Sequence, residues 1–174
     1  MTSTETTTTT AYDSRPDTLR HSLRVGELII VLVTAALARA TKHDLSKTEP
    51  PEVEAFDTAA RQLAEMSYDS DEYQASLDQL GEALEHHYKV NRHHPQHWGA
   101  AGIGGMTLVD VIEMLCDWKA ATERMKPGTG DLAKSIEIAK TRFRLSDQLA
   151  AIFVNTAVEF GWIAAPPAGE GSAS

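Results

Sequence analysis

The seven histidines of the chain all lie between residues 21 and 97, and five of them fall within twelve residues: His86, His87, His93, His94 and His97. A second group, His43-Asp44, precedes these five, and a group of carboxylates follows them at Asp110, Glu113 and Asp117. Imidazole together with carboxylate is the ligand set that zinc, iron and manganese use in proteins. The pattern therefore predicts a metal site built from segments that are distant in sequence. A solvated, histidine-rich helix end and loop is the alternative interpretation.

The carboxylates of the last group are spaced i, i+3 and i+7, which places Asp110, Glu113 and Asp117 on one face of a helix. Three like charges on one face repel each other unless cations compensate them. Asp110 can instead serve as part of a helix cap with Thr107, on a face that is exposed. Asp117 lies between a cysteine and a tryptophan in an apolar segment, which is a poor environment for an unpaired charge. We therefore expect Asp117 to bind a cation, and the role of Asp110 stays open.

The composition limits the class of protein. With 174 residues, 42% of them hydrophobic, the chain can form one domain with a real core. Its net charge of −9 excludes extended nucleic acid as an expected partner, although a local cationic pocket for one small phosphate is compatible with it. The longest apolar run, residues 28–38, is too short to span a bilayer, and residues 1–10 have no signal-peptide pattern. We expect a cytoplasmic protein with no membrane partner, and the single cysteine agrees with a reducing compartment.

Helical periodicity without alternating strand patterns predicts an all-α, single-domain antiparallel bundle over residues 17–163. A disordered Thr-rich tail (1–16) is expected before it and a flexible tail (164–174) after it. Six helices are expected, at about residues 17–40, 51–66, 72–90, 107–125, 131–143 and 146–160. The first has apolar residues nearly all round between Leu28 and Leu37, so we expect it to be the buried central helix.

Several of the candidate residues lie in segments that resemble the motifs of a known superfamily. His43-Asp44-Leu45-Ser46-Lys47 resembles the HDxGK signature of the HD superfamily of metal-dependent phosphohydrolases, and most closely its HD-GYP branch of cyclic-dinucleotide phosphodiesterases. The order of motifs is similar as well, with an HxxRV-like segment at residues 21–25, an HHxxW-like segment at 93–98 and the last metal aspartate at Asp117. The stretch from residue 21 to about 160 also resembles an uncharacterised family of small bacterial and phage proteins.

The resemblance to the HD superfamily implies an HD-like helical fold, a function and a set of roles. The implied function is hydrolysis of a nucleotide or another small phosphorylated molecule, with one or two divalent ions (Mn, Fe or Zn) that activate the attacking water. The implied metal ligands are His21, His43, Asp44, His87, His93, His94 and Asp117. Lys47 would contact the substrate phosphate, and Asn91, Arg92 and Arg124 are further candidates for binding the substrate. Glu113 would act as a general base or support a ligand.

The sequence leaves open whether His21 is a ligand, which of His86 and His87 is a ligand, and the class of activity. His21 and His43 are 22 residues apart, which is about 33 Å in one straight helix. Either the chain folds back between residues 34 and 41, or His21 is outside the site. His87 is preferred to His86 because its position favours contact with the histidines of the following loop. A di-iron oxygenase and a non-enzymatic helical adaptor with a structural or regulatory metal are the alternative functions, and a homodimer is compatible with the sequence.

Overall fold

A computed structural model of the chain describes residues 12–63, 71–125 and 130–165, and within these ranges every regular element is helical. The six α-helices are α1 (Arg15–Ala40), α2 (Glu52–Leu63), α3 (Asp71–Val90), α4 (Leu108–Arg124), α5 (Leu132–Arg142) and α6 (Asp147–Glu159). Two 3₁₀ segments lie between helices, Leu45–Thr48 after α1 and Pro95–Gly105 after α3. The predicted all-α class is confirmed. In the described part of the chain, no helix is long and apolar enough to cross a membrane.

A reciprocal cap determines where α4 begins. The Thr107 side chain accepts a hydrogen bond from the backbone N–H of Asp110 at 3.3 Å, and the Asp110 carboxylate accepts one from the backbone N–H of Thr107 at 2.7 Å. Two N–H groups that the helix itself leaves without partners are satisfied in this way. The side chains of Asp131 and Ser146 likewise accept from backbone N–H groups at the starts of α5 and α6. The predicted starts of these three helices therefore lie within one residue of the observed ones.

The hydrophobic core of the described residues lies between α4, α5 and α6. Met114, Ile136 and Phe153 are among its fully buried members. The Trp118 ring stacks on Phe143 with a centroid distance of 6.2 Å, which adds aromatic contact at the edge of this core. The packing holds α4 in place, and the acidic face of the same helix is directed towards α1 and the loop after α3.

The helix α3 is bent, although its sequence pattern predicts a continuous helix. At Gly81 the backbone has a φ of +46° and a ψ of −119°, which interrupts the helical geometry. Glycine adopts this left-handed φ at low cost because it has no Cβ. The bend gives the last part of α3, which carries His86 and His87, its own direction relative to the first part.

The prediction that the first helix is buried at the centre is wrong. None of the 26 residues of α1 is buried, and its ten large apolar side chains are each 39–71% exposed. One side of α1 packs against α4, where Arg39 forms ion pairs with Asp110 and Glu113. An apolar pattern indicates a surface that needs cover, but it does not identify what covers it.

The predicted N-terminal tail is too long, because α1 already begins at Arg15. The rest of that prediction, residues 1–11, lies outside the described residues, as do residues 166–174 of the predicted C-terminal tail. The second helix is observed to Leu63, and its predicted continuation to residue 66 also lies outside the described residues.

Candidate metal centre

Three parts of the chain that are far apart in sequence meet beside α4. Two overlapping groups of four side chains have ligand atoms that all lie within 4.8 Å of one another. The first group is Asp44, His87, His93 and His94, and the second is His43, Asp44, His93 and Asp117. We call these six residues the His/Asp cluster. The structure therefore brings together six of the seven side chains that the sequence analysis names as metal ligands.

Asp44 lies at the centre of the cluster. Its Oδ1 atom is 3.4 Å from Nε2 of His87 and 3.4 Å from Nε2 of His93. Both Oδ1 of Asp44 and Nε2 of His93 are buried without a hydrogen-bond partner in the described part of the chain. A buried polar atom without a partner costs about 1–3 kcal/mol. A cation between these atoms would remove that cost, since both are electron-pair donors.

The backbone of the turn after α1 positions this carboxylate. Asp44 has a left-handed φ of +56°, a conformation that residues other than glycine adopt rarely and that aspartate tolerates better than most. Hydrogen bonds from the N–H of His43 to the carbonyl of Ala40 and from the N–H of Leu45 to the carbonyl of Lys42 hold the turn. A strained residue that carries a candidate ligand is typical of a functional site.

A carboxylate lies behind each of three imidazoles. Nδ1 of His43 and Nδ1 of His93 are 3.0 Å and 3.1 Å from Oε1 of Glu113, and Nδ1 of His87 is 2.8 Å from Oε2 of Glu52. In each of these histidines Nδ1 faces a carboxylate outside the cluster, so that Nε2 is the ring nitrogen directed at the cluster. The same arrangement orients metal-binding histidines in general.

The two carboxylates are themselves held by several groups. Arg39 lies 2.6 Å from the second oxygen of Glu113, while Glu52 accepts a hydrogen bond from Ser46 and contacts Nδ1 of His86 at 2.7 Å. Burial would raise the pKa of Glu113, but the contacts with His43 and His93 and the charges of His93 and Arg39 together outweigh burial and hold that pKa well below its usual range. The pKa of Glu52 is lowered as well, because its hydrogen bonds outweigh the effect of burial. Both side chains are therefore ionised carboxylates at neutral pH.

The cluster carries a proton in the metal-free protein. Hydrogen bonds with Asp117 and then with Glu113 raise the pKa of His43 to about 10. Burial, followed by the charges of two neighbouring histidines, lowers the pKa of His94 to about 3. At neutral pH His43 is therefore charged and His94 is neutral. Binding a metal through Nε2 of His43 would release this proton.

Lys47 and Asn91 lie at the edge of the cluster. Nζ of Lys47 is 2.7 Å from Oδ2 of Asp44 and 5.0 Å from the centroid of the Phe56 ring. Nδ2 of Asn91 donates to Oγ of Ser46 at 2.8 Å and to the carbonyl oxygen of His87 at 3.0 Å. Lys47 is thus in direct contact with the central carboxylate, whereas Asn91 stabilises the segments that carry the ligands.

Arg92 and Arg124 lie outside the cluster. Arg92 forms an ion pair with Asp110 at 3.1 Å, and its guanidinium lies 4.5 Å from the centroid of the Trp98 ring. Arg124 is exposed at the end of α4, seven residues beyond Asp117, which is about 10 Å along the helix. Of the three basic residues predicted to contact phosphate, Lys47 alone touches the cluster.

His21 does not join the cluster. Because α1 continues without a break from Arg15 to Ala40, the exposed His21 lies about 30 Å along the helix from the turn that carries His43. The chain does not fold back between residues 34 and 41, so the ligand role implied for His21 is not met within this chain. The adjacent histidines of α3 also differ. His87 faces the cluster, whereas His86 contacts Glu52 outside it.

Glu52 and Arg39 contact the candidate site although the sequence pattern does not predict a role for either. Glu52 is fully buried, although an acidic residue in the first turn of a helix is ordinarily explained by its favourable interaction with the helix dipole. Arg39, in the last turn of α1, has the equivalent ordinary explanation for a basic residue. For Arg39 the available signal was the charge of α4, since three carboxylates on one face require compensating cations.

The fold and the cluster together define an all-helical protein with a histidine and carboxylate site that could hold a metal ion. The chain belongs to DUF5662, a family of unknown function, whose family model matches residues 10–159. No curated protein and no solved structure matches the chain significantly.

Proposed function

We propose that the His/Asp cluster binds one or two divalent transition-metal ions and that the protein uses them to hydrolyse a small phosphorylated molecule. The observation that carries the metal site is the buried, unpartnered Oδ1 of Asp44 facing the Nε2 atoms of His87 and His93. The 3.4 Å spacing supports this proposal, because ligand atoms in a tetrahedral site with bonds of about 2.0–2.1 Å lie about 3.4 Å apart. The HD-like order of motifs favours phosphate hydrolysis over other metal chemistry.

The two overlapping groups suggest how the ligands would divide between two ions. Asp44 belongs to both groups and has two oxygens, so it would be shared. His87 and His94 would bind on one side, and His43 and Asp117 on the other. His93 lies in both groups and would complete either side. Metal ions held by these residues would supply Lewis-acid chemistry, which is polarisation of a phosphoryl oxygen and a lower pKa for a water molecule.

Side chains around the ligands would prepare the site and hold the phosphate. Both oxygens of Glu113 are engaged, one by His43 and His93 and the other by Arg39, so we assign Glu113 to positioning imidazoles rather than to proton transfer. Lys47 has about a third of its side chain exposed and lies beside Asp44. Once a metal neutralises that carboxylate, the ammonium group would be available to a phosphate oxygen as a point charge.

The first experiment measures metal content in untagged protein. We expect Asp44→Asn to lose bound metal, since it removes the shared charge at the centre of the cluster. The matched control is Asp57→Asn, which changes an exposed carboxylate on α2 and should retain metal. Untagged wild-type protein that binds no Mn²⁺, Fe²⁺, Co²⁺ or Zn²⁺ would overturn the metal site and favour the adaptor function.

The second experiment measures turnover of nucleoside mono- and triphosphates, cyclic dinucleotides and an aryl phosphate with each metal. Lys47→Ala should retain metal and lower kcat/KM about 10–100-fold, because a hydrogen bond to a charged group contributes about 1.5–3 kcal/mol. Lys42→Ala, in the same turn but exposed, is the matched control. Ferrous protein that consumes oxygen and hydrolyses none of these substrates would instead favour an oxygenase.

A further inference from the structure

An apolar stripe with coiled-coil spacing runs along the exposed side of α1. Alternating steps of four and three residues connect Leu19, Leu23, Gly26, Ile30, Val33, Leu37 and Ala40. We call these seven residues the α1 seam. Such steps keep side chains on one face over several turns, and they are the spacing by which one helix packs against another. Arg39, which binds α4, is nine residues from Ile30, so at 100° per residue the seam lies on the opposite side of α1.

We propose that the α1 seam is a dimer interface that packs, antiparallel, against the α1 seam of a second copy of this chain. The five large apolar side chains of the α1 seam together expose on the order of 600 Å², which is most of the about 800 Å² that each partner contributes to a specific interface. Monomers rarely expose continuous apolar patches beyond a few hundred Å². The proposal is independent of the metal site, since no residue of the seam belongs to the His/Asp cluster.

Three occupants could cover the α1 seam: another segment of the same chain, a membrane or a second copy of the chain. The second copy fits best. Residues 1–11, 64–70, 126–129 and 166–174, outside the described ranges, contain three large apolar or aromatic residues in total, which cannot cover a seam of this length. The net charge of −9 disfavours an anionic lipid surface. A two-fold pair, by contrast, needs only a surface that is complementary to itself.

The antiparallel orientation follows from the glycine in the seam. A two-fold axis at residue 28 sets Gly26 against Ile30 of the second copy, and it pairs Leu23 with Val33 and Leu19 with Leu37. A parallel pair would set Gly26 against Gly26 and leave a void, which close-packed interfaces avoid. The opposed helix dipoles also favour the antiparallel arrangement.

The first test measures the mass of the full chain by light scattering and analytical ultracentrifugation. We expect twice the chain mass of 19.0 kDa for wild type. Ile30→Glu should weaken the dimer at least about 100-fold, because it places unpaired charges in the interface. Val31→Glu is the matched control, since Val31 and Ile30 are both 65% exposed but Val31 lies off the seam, and it should leave the dimer unchanged.

Circular dichroism checks that both glutamate variants keep the helical content of wild type. A wild-type monomer, a dimer that survives Ile30→Glu, or equal loss in Val31→Glu would overturn the proposal. Wild type that stays monomeric and cofloats with zwitterionic vesicles would identify a membrane surface as the occupant instead.

The second test determines orientation by disulfide cross-linking in a Cys116→Ser background, which removes the natural exposed thiol. A mixture of Leu19→Cys and Leu37→Cys chains should form cross-linked dimers, whereas each variant alone should not. Cross-linking of Leu19→Cys with itself would overturn the antiparallel arrangement.

Discussion

Replacing Glu113 by glutamine tests whether the carboxylates behind the imidazoles prepare them to bind metal. One oxygen of Glu113 lies 3.0 Å from Nδ1 of His43 and 3.1 Å from Nδ1 of His93, and the other lies 2.6 Å from Arg39. Glutamine has the same shape but offers one acceptor and one donor group. If its oxygen faces the imidazoles, its NH₂ group opposes Arg39. If its NH₂ group faces the imidazoles, their protons must move to Nε2, the atom that would bind metal.

The expected loss follows from the two imidazoles that Glu113 serves. Removing the partner behind one metal-binding histidine typically weakens metal binding 10–100-fold. Because one carboxylate orients both His43 and His93, we expect Glu113→Gln to weaken metal binding about 100-fold, or about 2.7 kcal/mol. The affinity is measured by competition with a chelator of known strength, using Zn²⁺ or Co²⁺, and is normalised to folded protein by circular dichroism.

The control is Glu123→Gln on the same helix. Glu123 is exposed and pairs with Lys119 at 3.0 Å, so its loss changes the surface charge equally but leaves every imidazole in place. Wild-type metal affinity in Glu113→Gln would refute the reasoning that this carboxylate orients the ligands. An equal loss in Glu123→Gln would mean that net charge, and not orientation, controls the affinity.

Three further predictions concern the charges around the cluster. Because the pKa of His43 is about 10, metal must displace its proton, so affinity should rise with pH up to that value, and calorimetry at about pH 8 should detect about one proton released. Absence of proton release would contradict this. Arg39→Met leaves Asp110 and Glu113 without the cation that they share. Urea denaturation should show a free energy of unfolding that is lower by about 3 kcal/mol. A change below about 1 kcal/mol would contradict the role of Arg39. His21→Ala should leave metal affinity within about twofold of wild type, since α1 separates His21 from the cluster; a larger loss would show that His21 reaches a metal.

The residues of the site could be predicted better than the contacts that hold them. The side-chain chemistry of histidine and aspartate can be read from the sequence alone, and the HD-like order of motifs groups His43 and Asp44, from the turn after α1, with Asp117, from α4. The starts of α4, α5 and α6 could be predicted because capping depends on residues within one turn. The bend at Gly81 could not, because an isolated glycine inside a helical pattern is compatible with a straight helix as well.

Whether a side chain is buried depends on which helices pack together. The periodicity of apolar residues within one helix does not show this. The apolar surface of α1 predicts a buried helix, yet α1 is exposed in the single chain. Glu52 shows the opposite case, because its charge predicts exposure and its position between His86 and His87 removes it from solvent completely. Glu52 is buried because distant histidines contact its carboxylate, and α1 is exposed because no other helix of the described chain covers its apolar surface.

The His/Asp cluster also joins the two halves of the fold, which are the segments before α4 and the three helices α4, α5 and α6. The fully apolar core belongs to α4, α5 and α6, and the buried apolar residues described before α4 are Ala59, Leu80, Ala83 and Pro95. Around the cluster, the first half meets α4 through the contacts of Arg39, His43 and His93 with its acidic face. In the metal-free protein a proton on His43 balances part of the charge at this junction. Metal binding would replace that proton with stronger bonds between α4 and the segments before it, so the ligands of the candidate site would also contribute to tertiary stability.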